Sequence, residues 1–436
     1  MSAIPPMVPA AAPAMSDAVF ALTLALMLLA PMAIAGVALI NTGLGRSRSA
    51  AQAMLGNLAL IAVAAIVFAF IGASFTGSQG LKEVVLHAAG KPWSVLGLGP
   101  FLLRGLDAAA PQAQLSVLFQ FLAVAMLVLL PWGSGADRWR LAAGCASAAV
   151  LAAIVFPLAA QWIWAGGWLA ALGANFSVGA GFLDAGGAAT VHVIGGLSAL
   201  AVIWIAGPRR GKFPKEGLST AMPGHNAIYV LFGCLLALVG WVAWNLAGTI
   251  IWVHAPLSAL PGTAINTLLS ASGALAATFS VTRFRFGKPD ASLCANGWLA
   301  GLVASSACAA FASPVGSLFV GGVAGVFTPL LVEVLELALS IDDPTGAITV
   351  HGAAGLWGLI AAGFFAPQAG QLLAQLIGVA ALLGFFFPLI YLLFALLNRF
   401  VPFRVDPDGE RMGMDLHEIG GGAYPEFVIH RDESYR

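Results

Sequence analysis

Long apolar runs broken by short polar clusters dominate this chain, and their lengths set the first expectation. A hydrocarbon core of about 30 Å needs roughly 20 helical residues to cross it. Stretches of that kind occur at 18–40, 51–73, 114–134, 141–163, 187–206, 226–247, 262–282, 293–311, 315–338, 347–366 and 371–398. Eleven transmembrane helices are therefore predicted, the eighth and ninth parted only by Ala312-Ser313-Pro314. Residues 1–16 are read as a short exposed tail, with processing or a start at Met15 as the alternatives. Residues 17–398 form the membrane domain and 399–436 a polar arm, ordered or bound to a partner rather than a separate domain. Between the second and third spans, the long loop 74–113 is expected to hold a short helix.

Composition agrees with lipid as the main solvent: 60% of residues are hydrophobic and only 9% charged, too few to cover a soluble surface. The distribution of charge then sets an orientation. Sixteen of the 19 Lys and Arg residues fall on one set of alternate loops and the C-terminal arm, leaving Lys82, Lys91 and Arg104 on the other side. Basic loops stay in the cytoplasm, so the N-terminus is expected outside an inner (cytoplasmic) membrane and the C-terminus inside. Zero formal net charge gives no sign of a nucleic-acid partner. Cys145, Cys234, Cys294 and Cys308 lie scattered in apolar segments and read as small hydrophobes, without a metal or disulfide role.

Two segments repeat. Asp184, Gly187, Ala188, Thr190, Val191, His192, Gly196 and Leu197 recur as Asp343, Gly346, Ala347, Thr349, Val350, His351, Gly355 and Leu356, eight identities at a constant offset of 159. One copy opens span five and the other span ten, from opposite sides of the membrane. That is an inverted repeat, here five plus five spans with a terminal helix, whose site is expected where the halves meet at the midplane. A lone histidine in an apolar run is commonly a packed, hydrogen-bonded residue. Two at equivalent repeat positions read better as a facing pair lining a pore, one imidazole donating to the other. For Asp184, two readings stand side by side: a cap on span five and support for a cation. Capping is the reading for Asp343.

Further motifs carry a resemblance. Phe182-Leu-Asp184 through His192, Pro223-Gly-His225-Asn226, Gly240-Trp241-Val-Ala-Trp244-Asn245, Ala295-Asn296-Gly-Trp-Leu-Ala-Gly, Ile341-Asp342-Asp343-Pro344 and Arg411-Met-Gly-Met-Asp415 stand in order along the chain. With them the sequence resembles the ammonium transporter/methylammonium permease/Rhesus family, in its microbial ammonium transporter branch, over nearly its whole length.

The resemblance implies a homotrimer with a pore through each protomer. Ammonium would be recruited at an external vestibule and deprotonated, and ammonia would pass between His192 and His351 while the proton moves separately. It also implies an aspartate near the vestibule at Asp184, a cation–π face at Trp164, pore residues at Phe119, Gln120, Phe121, Trp244 and Asn245, and a docking face for a PII-type cytoplasmic regulator. No cofactor is implied.

Three departures cluster at the entrance. One of the two stacked gate phenylalanines falls on Ala123 and the other on Trp244; the recruiting serine falls on Gly248, with Thr249 beside it as a substitute; and span one has Asn41-Thr42-Gly43 for an aromatic-Gly-Gly step. An ammonium sensor of low transport activity and a Rhesus-type channel for neutral gas are the alternatives to a transporter. No H-E-x-x-H, G-x-S-x-G or nucleotide-binding G-x-x-x-x-G-K-[ST] motif points to an enzyme or a nucleotide-driven pump.

Overall fold

The computed structural model describes residues 15–77, 82–106 and 110–424. Residues 1–14 of the expected tail 1–16, the end of the C-terminal arm from 425 and parts of the 74–113 loop lie outside these residues.

Among the described residues, eleven helices are long and apolar enough to span a membrane. They are Asp17–Leu44, Ser47–Phe75, Pro111–Ser134, Leu141–Ile163, Ala188–Ala206, Ala227–Ile251, Leu257–Phe286, Ala291–Cys308, Pro314–Leu337, Ile348–Phe365 and Gln371–Phe400. Each matches an apolar run of the sequence, and local chemistry explains the ends. Ser16 opens span one by accepting from the Val19 N–H at 3.4 Å, and Pro31 divides the span into two segments. The break between spans eight and nine is sharp because Ser313 caps the next helix through the Gly316 N–H and Pro314 fills its first position. Span seven outruns its apolar core because Thr263, Thr267, Thr278 and Thr282 bond back to backbone carbonyls of their own helix or a neighbour. Large apolar side chains such as Leu28, Ile228 and Phe364 face outward, as a lipid-bathed surface requires.

The loop after span two corrects the expected helix. It holds an antiparallel hairpin, β1 (Lys82–Ala88) and β2 (Lys91–Leu98), followed by a single 3₁₀ turn at Phe101–Leu103. Ala89 and Gly90 both take positive φ, 52° and 71°, the pair of values that closes a tight hairpin. Strand β2 is tied to the end of span four, where Gln161 donates to Ser94 Oγ (2.8 Å) and Trp162 to the Val95 carbonyl (2.9 Å). This end of the bundle is the hairpin face; the opposite end, where the C-terminal arm lies, is the tail face.

On the tail face, charges otherwise costly to bury are paired. Arg209 clasps Asp342 through its backbone N–H, Nε and Nη2 at 2.8–2.9 Å and reaches Asp137 at 3.2 Å. Arg138, wholly buried, donates to the carbonyls of Gly207, Ala136 and Asp342. The arm is held against these loops. Glu410 takes Arg404 and Arg210, while Asp415 accepts from the backbone N–H groups of Ala51 (3.1 Å) and Gln52 (2.7 Å). Glu418 accepts from the Leu141 N–H. Asp415 and Glu418 thus cap the first turns of spans two and four from far along the chain, where the helix dipole favours a negative group.

Burial alone would raise the Asp342 carboxyl, but the hydrogen bonds from Arg209 and the nearby Arg138 charge outweigh it and hold the group at about 2. Its folded value lies below the ordinary aspartate value of 3.8, so this pairing stabilises the fold above that value and is lost as pH falls toward 2. Replacing Arg209 by Met strands a buried carboxylate and should cost about 3–5 kcal/mol. Thermal unfolding of the purified protein at neutral pH should show the loss, and lowering the pH toward 3 should narrow the gap from the parent.

Candidate functional site

The repeat brings its two copies together by close backbone contact. Span five crosses span ten at Gly196 and Gly352, where a methyl group on Gly196 would run into the backbone nitrogen of Gly352. Gly187 and Gly346, equivalent in the repeat, both adopt positive φ (82° and 71°) at the mouth of their helices. Each helix then opens with a widened π turn, Ala188–Val193 or Ile348–Ala353, that contains its histidine. The matching carboxylates cap both turns: Asp184 Oδ2 accepts from Ala189 N, Thr190 N and Thr190 Oγ1 at 3.0–3.1 Å, and Asp343 from Ile348 N and Ser134 Oγ.

His192 and His351 are consequently neighbours, both buried, with ring centroids 5.2 Å apart and planes 22° from parallel. The expected hydrogen bond between the imidazoles is not formed. The rings lie close and nearly parallel, and neither Nδ1 has a hydrogen-bond partner among the described residues. On its other side His192 stacks on Trp241 at 4.8 Å and 14°, and Trp241 is anchored by donating to Ser306 Oγ at 2.8 Å. The order Trp241, His192, His351 forms a continuous stack of three rings.

One helical turn along span six, Trp244 leads from this stack to the hairpin face. Its ring lies 4.9 Å from Phe119, and its indole N–H donates to the Gly186 carbonyl at 2.9 Å. Phe119 also meets Trp164 edge-on at 5.5 Å and Trp252 at 5.8 Å. Trp164 donates to the Asp184 carbonyl at 2.7 Å, and its face is covered by Trp252, 4.9 Å away and only 2° from parallel. Three indoles and a phenyl ring therefore occupy the region where the sequence leads one to expect a gate and an open cation–π face.

The remaining candidates divide. Gln120 is fully buried beside Phe119, whereas Phe121 points elsewhere and packs edge-on against Phe68 at 4.9 Å, outside the aromatic group. Asn245 ties span six to spans seven and eight by donating to Thr267 Oγ1 and Ser305 Oγ, both at 3.0 Å. Thr249 does not stand in for the missing serine: its hydroxyl donates to the Asn245 carbonyl at 2.7 Å and the residue is buried. The serine itself has no room, because a Cβ at Gly248 would strike the Ala185 carbonyl. Glycine here is what allows the loop carrying Asp184 to lie against span six.

Asp184 caps span five through one carboxylate oxygen only. Oδ2 serves the cap, while Oδ1 has no hydrogen-bond partner among the described residues. Burial raises the carboxyl to about 6 against the opposing pull of the Thr190 and Ala189 hydrogen bonds. At the tail face, a recess lined by Arg209, Asp290, Asn296, Glu336, Asp343 and Thr349 opens below His351.

Sequence reasoning passed over Trp241 and Trp252 as site residues. Trp241 stands three residues before Trp244, the spacing that shares a helix face. Trp252 lies beyond the expected end of span six at 247, in what reads as loop.

A family model described as Ammonium Transporter Family matches residues 19–424. The chain belongs to that family. Among family relatives, ammonium transporter Amt2 of Archaeoglobus fulgidus is 31% identical over 426 residues, covering 92% of this chain and 86% of the relative. The ammonium transporter of Bacillus subtilis is 28% identical over 429 residues, covering 94% and 99%. In structure, the fold is similar to a sensor Amt protein (TM-score 0.81, 24% identity, 92% of this chain and 97% of that one). It is also similar to Mep2 of Candida albicans (TM-score 0.74, 24% identity, 94% and 90%). The family frame and the eleven-span inverted repeat agree with the sequence reading.

Two outcomes follow from the geometry. Asp184 should titrate near pH 6, so a protonated-carboxyl infrared band should grow as pH falls through that value and be missing in Asp184→Asn; because the folded value exceeds the ordinary aspartate value of 3.8, this group lowers stability as pH rises across that window. Restoring the family serine with Gly248→Ser should destabilise the fold by about 1–3 kcal/mol through overpacking, seen as a lower melting temperature.

Proposed function

We propose that this chain is an ammonium transporter that recruits ammonium at the hairpin face, strips its proton and passes ammonia between His192 and His351. The observation that carries the reading is the buried, stacked histidine pair with both Nδ1 atoms unpartnered, placed at the centre of the inverted repeat. A bare cation entering this apolar layer would lose its hydration without a carboxylate to replace it, a penalty of many kcal/mol. Neutral ammonia needs only a few hydrogen bonds, and imidazole nitrogens can accept or donate them. The proton released at the aromatic layer travels separately, with the imidazole stack as its carrier, so transport moves charge. Phe119, Gln120, Trp164, Trp244 and Asn245 shape the approach, and Asp184 holds negative potential beneath it.

The uneven basic loops support an inner-membrane orientation with the hairpin face outside and the tail face in the cytoplasm. The apolar outer surface supports a homotrimer, and the arm and charged loops of the tail face offer a surface for a PII-type regulator. A sensor reading is less favoured, since the relatives named above are called transporters.

An ammonium pulse on a supported membrane carrying the protein should elicit a current, and His192→Ala or His351→Ala should change its size or its selectivity while the oligomer survives. Ammonia flux without current would move the chain to the neutral-gas reading. Neither flux nor current from correctly assembled protein would refute transport.

A further inference from the structure

The three indoles of the hairpin-face group differ in how they are held. Trp164 is fixed by its N–H to the Asp184 carbonyl, and Trp244 by its N–H to the Gly186 carbonyl. Trp252 has no such tether: its Nε1 is buried and has no hydrogen-bond partner among the described residues. It also stands at the last turn of span six, where its backbone N–H bonds to the Gly248 carbonyl and the chain leaves the helix. Two residues on, His254 takes a positive φ of 54°. A ring at the end of a helix with an unpaired N–H loses no hydrogen bond when it rotates away. Its neighbours would each break one.

That movable ring lies on an aromatic surface that can receive a cation. No free hydroxyl or exposed carboxylate is found among the described residues of this layer, since Thr249 bonds to its own helix and Asp184 is buried. The faces of the indoles are left, and an indole face is the best of the aromatic cation acceptors. The Trp164 face is covered by Trp252 at 4.9 Å, a separation that leaves no room for an ion between the rings. Phe119 stands edge-on to both rings and closes the side.

We propose that Trp252 is a displaceable lid on Trp164, and that an arriving ammonium or small alkylammonium ion exchanges with its ring for the Trp164 face. The entrance is then shut at rest by an indole pair rather than by two phenylalanines, and cation arrival is what opens it. Trp252 becomes the residue that sets the entry rate and the largest amine admitted. This rests on the transport reading for its substrate, but its test does not depend on that reading alone.

The test has two arms on the full-length assembled protein. In the first, 5-fluorotryptophan is incorporated, and the Trp252 fluorine resonance is assigned by its disappearance in Trp252→Phe. Ammonium chloride should shift that resonance saturably, and sodium chloride at equal ionic strength should not. In the second, Trp252→Ala should raise the initial ammonium current at limiting substrate by about two- to tenfold, the range that one aromatic pair represents, and should admit bulkier amines; Trp252→Phe should lie between.

A Trp252 resonance indifferent to ammonium overturns the lid, as does an alanine variant whose current is unchanged or lower. A shifting resonance together with current only in the alanine variant keeps the lid and rejects the parent chain as a transporter. Parent current with a silent resonance does the reverse.

Discussion

The contact between Gly196 and Gly352 is the constraint on which the rest of the site depends. Two helices that enter from opposite ends can bring mid-span side chains into ring contact only if their backbones nearly touch. In lipid there is little hydrophobic gain from pressing helices together, so small residues and close van der Waals packing must supply it. Once spans five and ten cross there, the histidines, four residues before Gly196 and immediately before Gly352, are brought against each other. The π turns widen each helix at that level and turn the rings inward. Asp184 and Asp343 then complete both helix starts, so each half supplies one ring, one turn and one cap.

Above this symmetric centre the two halves part company. At the hairpin face the approach is crowded with aromatic rings on spans three, four and six; at the tail face it is polar and charged. The inverted symmetry therefore holds for the histidines, their turns and their caps, and ends outside them.

Much of the architecture was legible before any coordinates. Eleven spans follow from apolar length, because lipid leaves a backbone no other way to satisfy its hydrogen bonds. The histidine pair follows from a repeat of eight identities, and Asp184's cap from its place at a helix start. What escaped was geometry that no local pattern encodes. Near-parallel rings in place of a hydrogen bond depend on how far the π turns rotate each imidazole. The packing of Phe121 against Phe68 depends on where span two lies beside span three. The hairpin was hidden because an Ala-Gly turn with paired positive φ looks like any small-residue loop. Trp252 was missed because apolar counting ended its helix several residues early.

The arm's capping carboxylates carry a consequence in time. Spans two and four emerge early in synthesis, yet the groups that satisfy their first N–H donors, Asp415 and Glu418, lie 364 and 277 residues further along the chain. Until the arm is made, those helix ends have no partner from it and must turn to water or to neighbouring loops. A chain cut short before residue 415 would keep all eleven spans and both histidines while leaving these two helix ends uncapped at the tail face. The arm thereby ties the membrane domain to a segment made after all eleven spans, and its arrival is registered at the starts of two helices laid down hundreds of residues earlier.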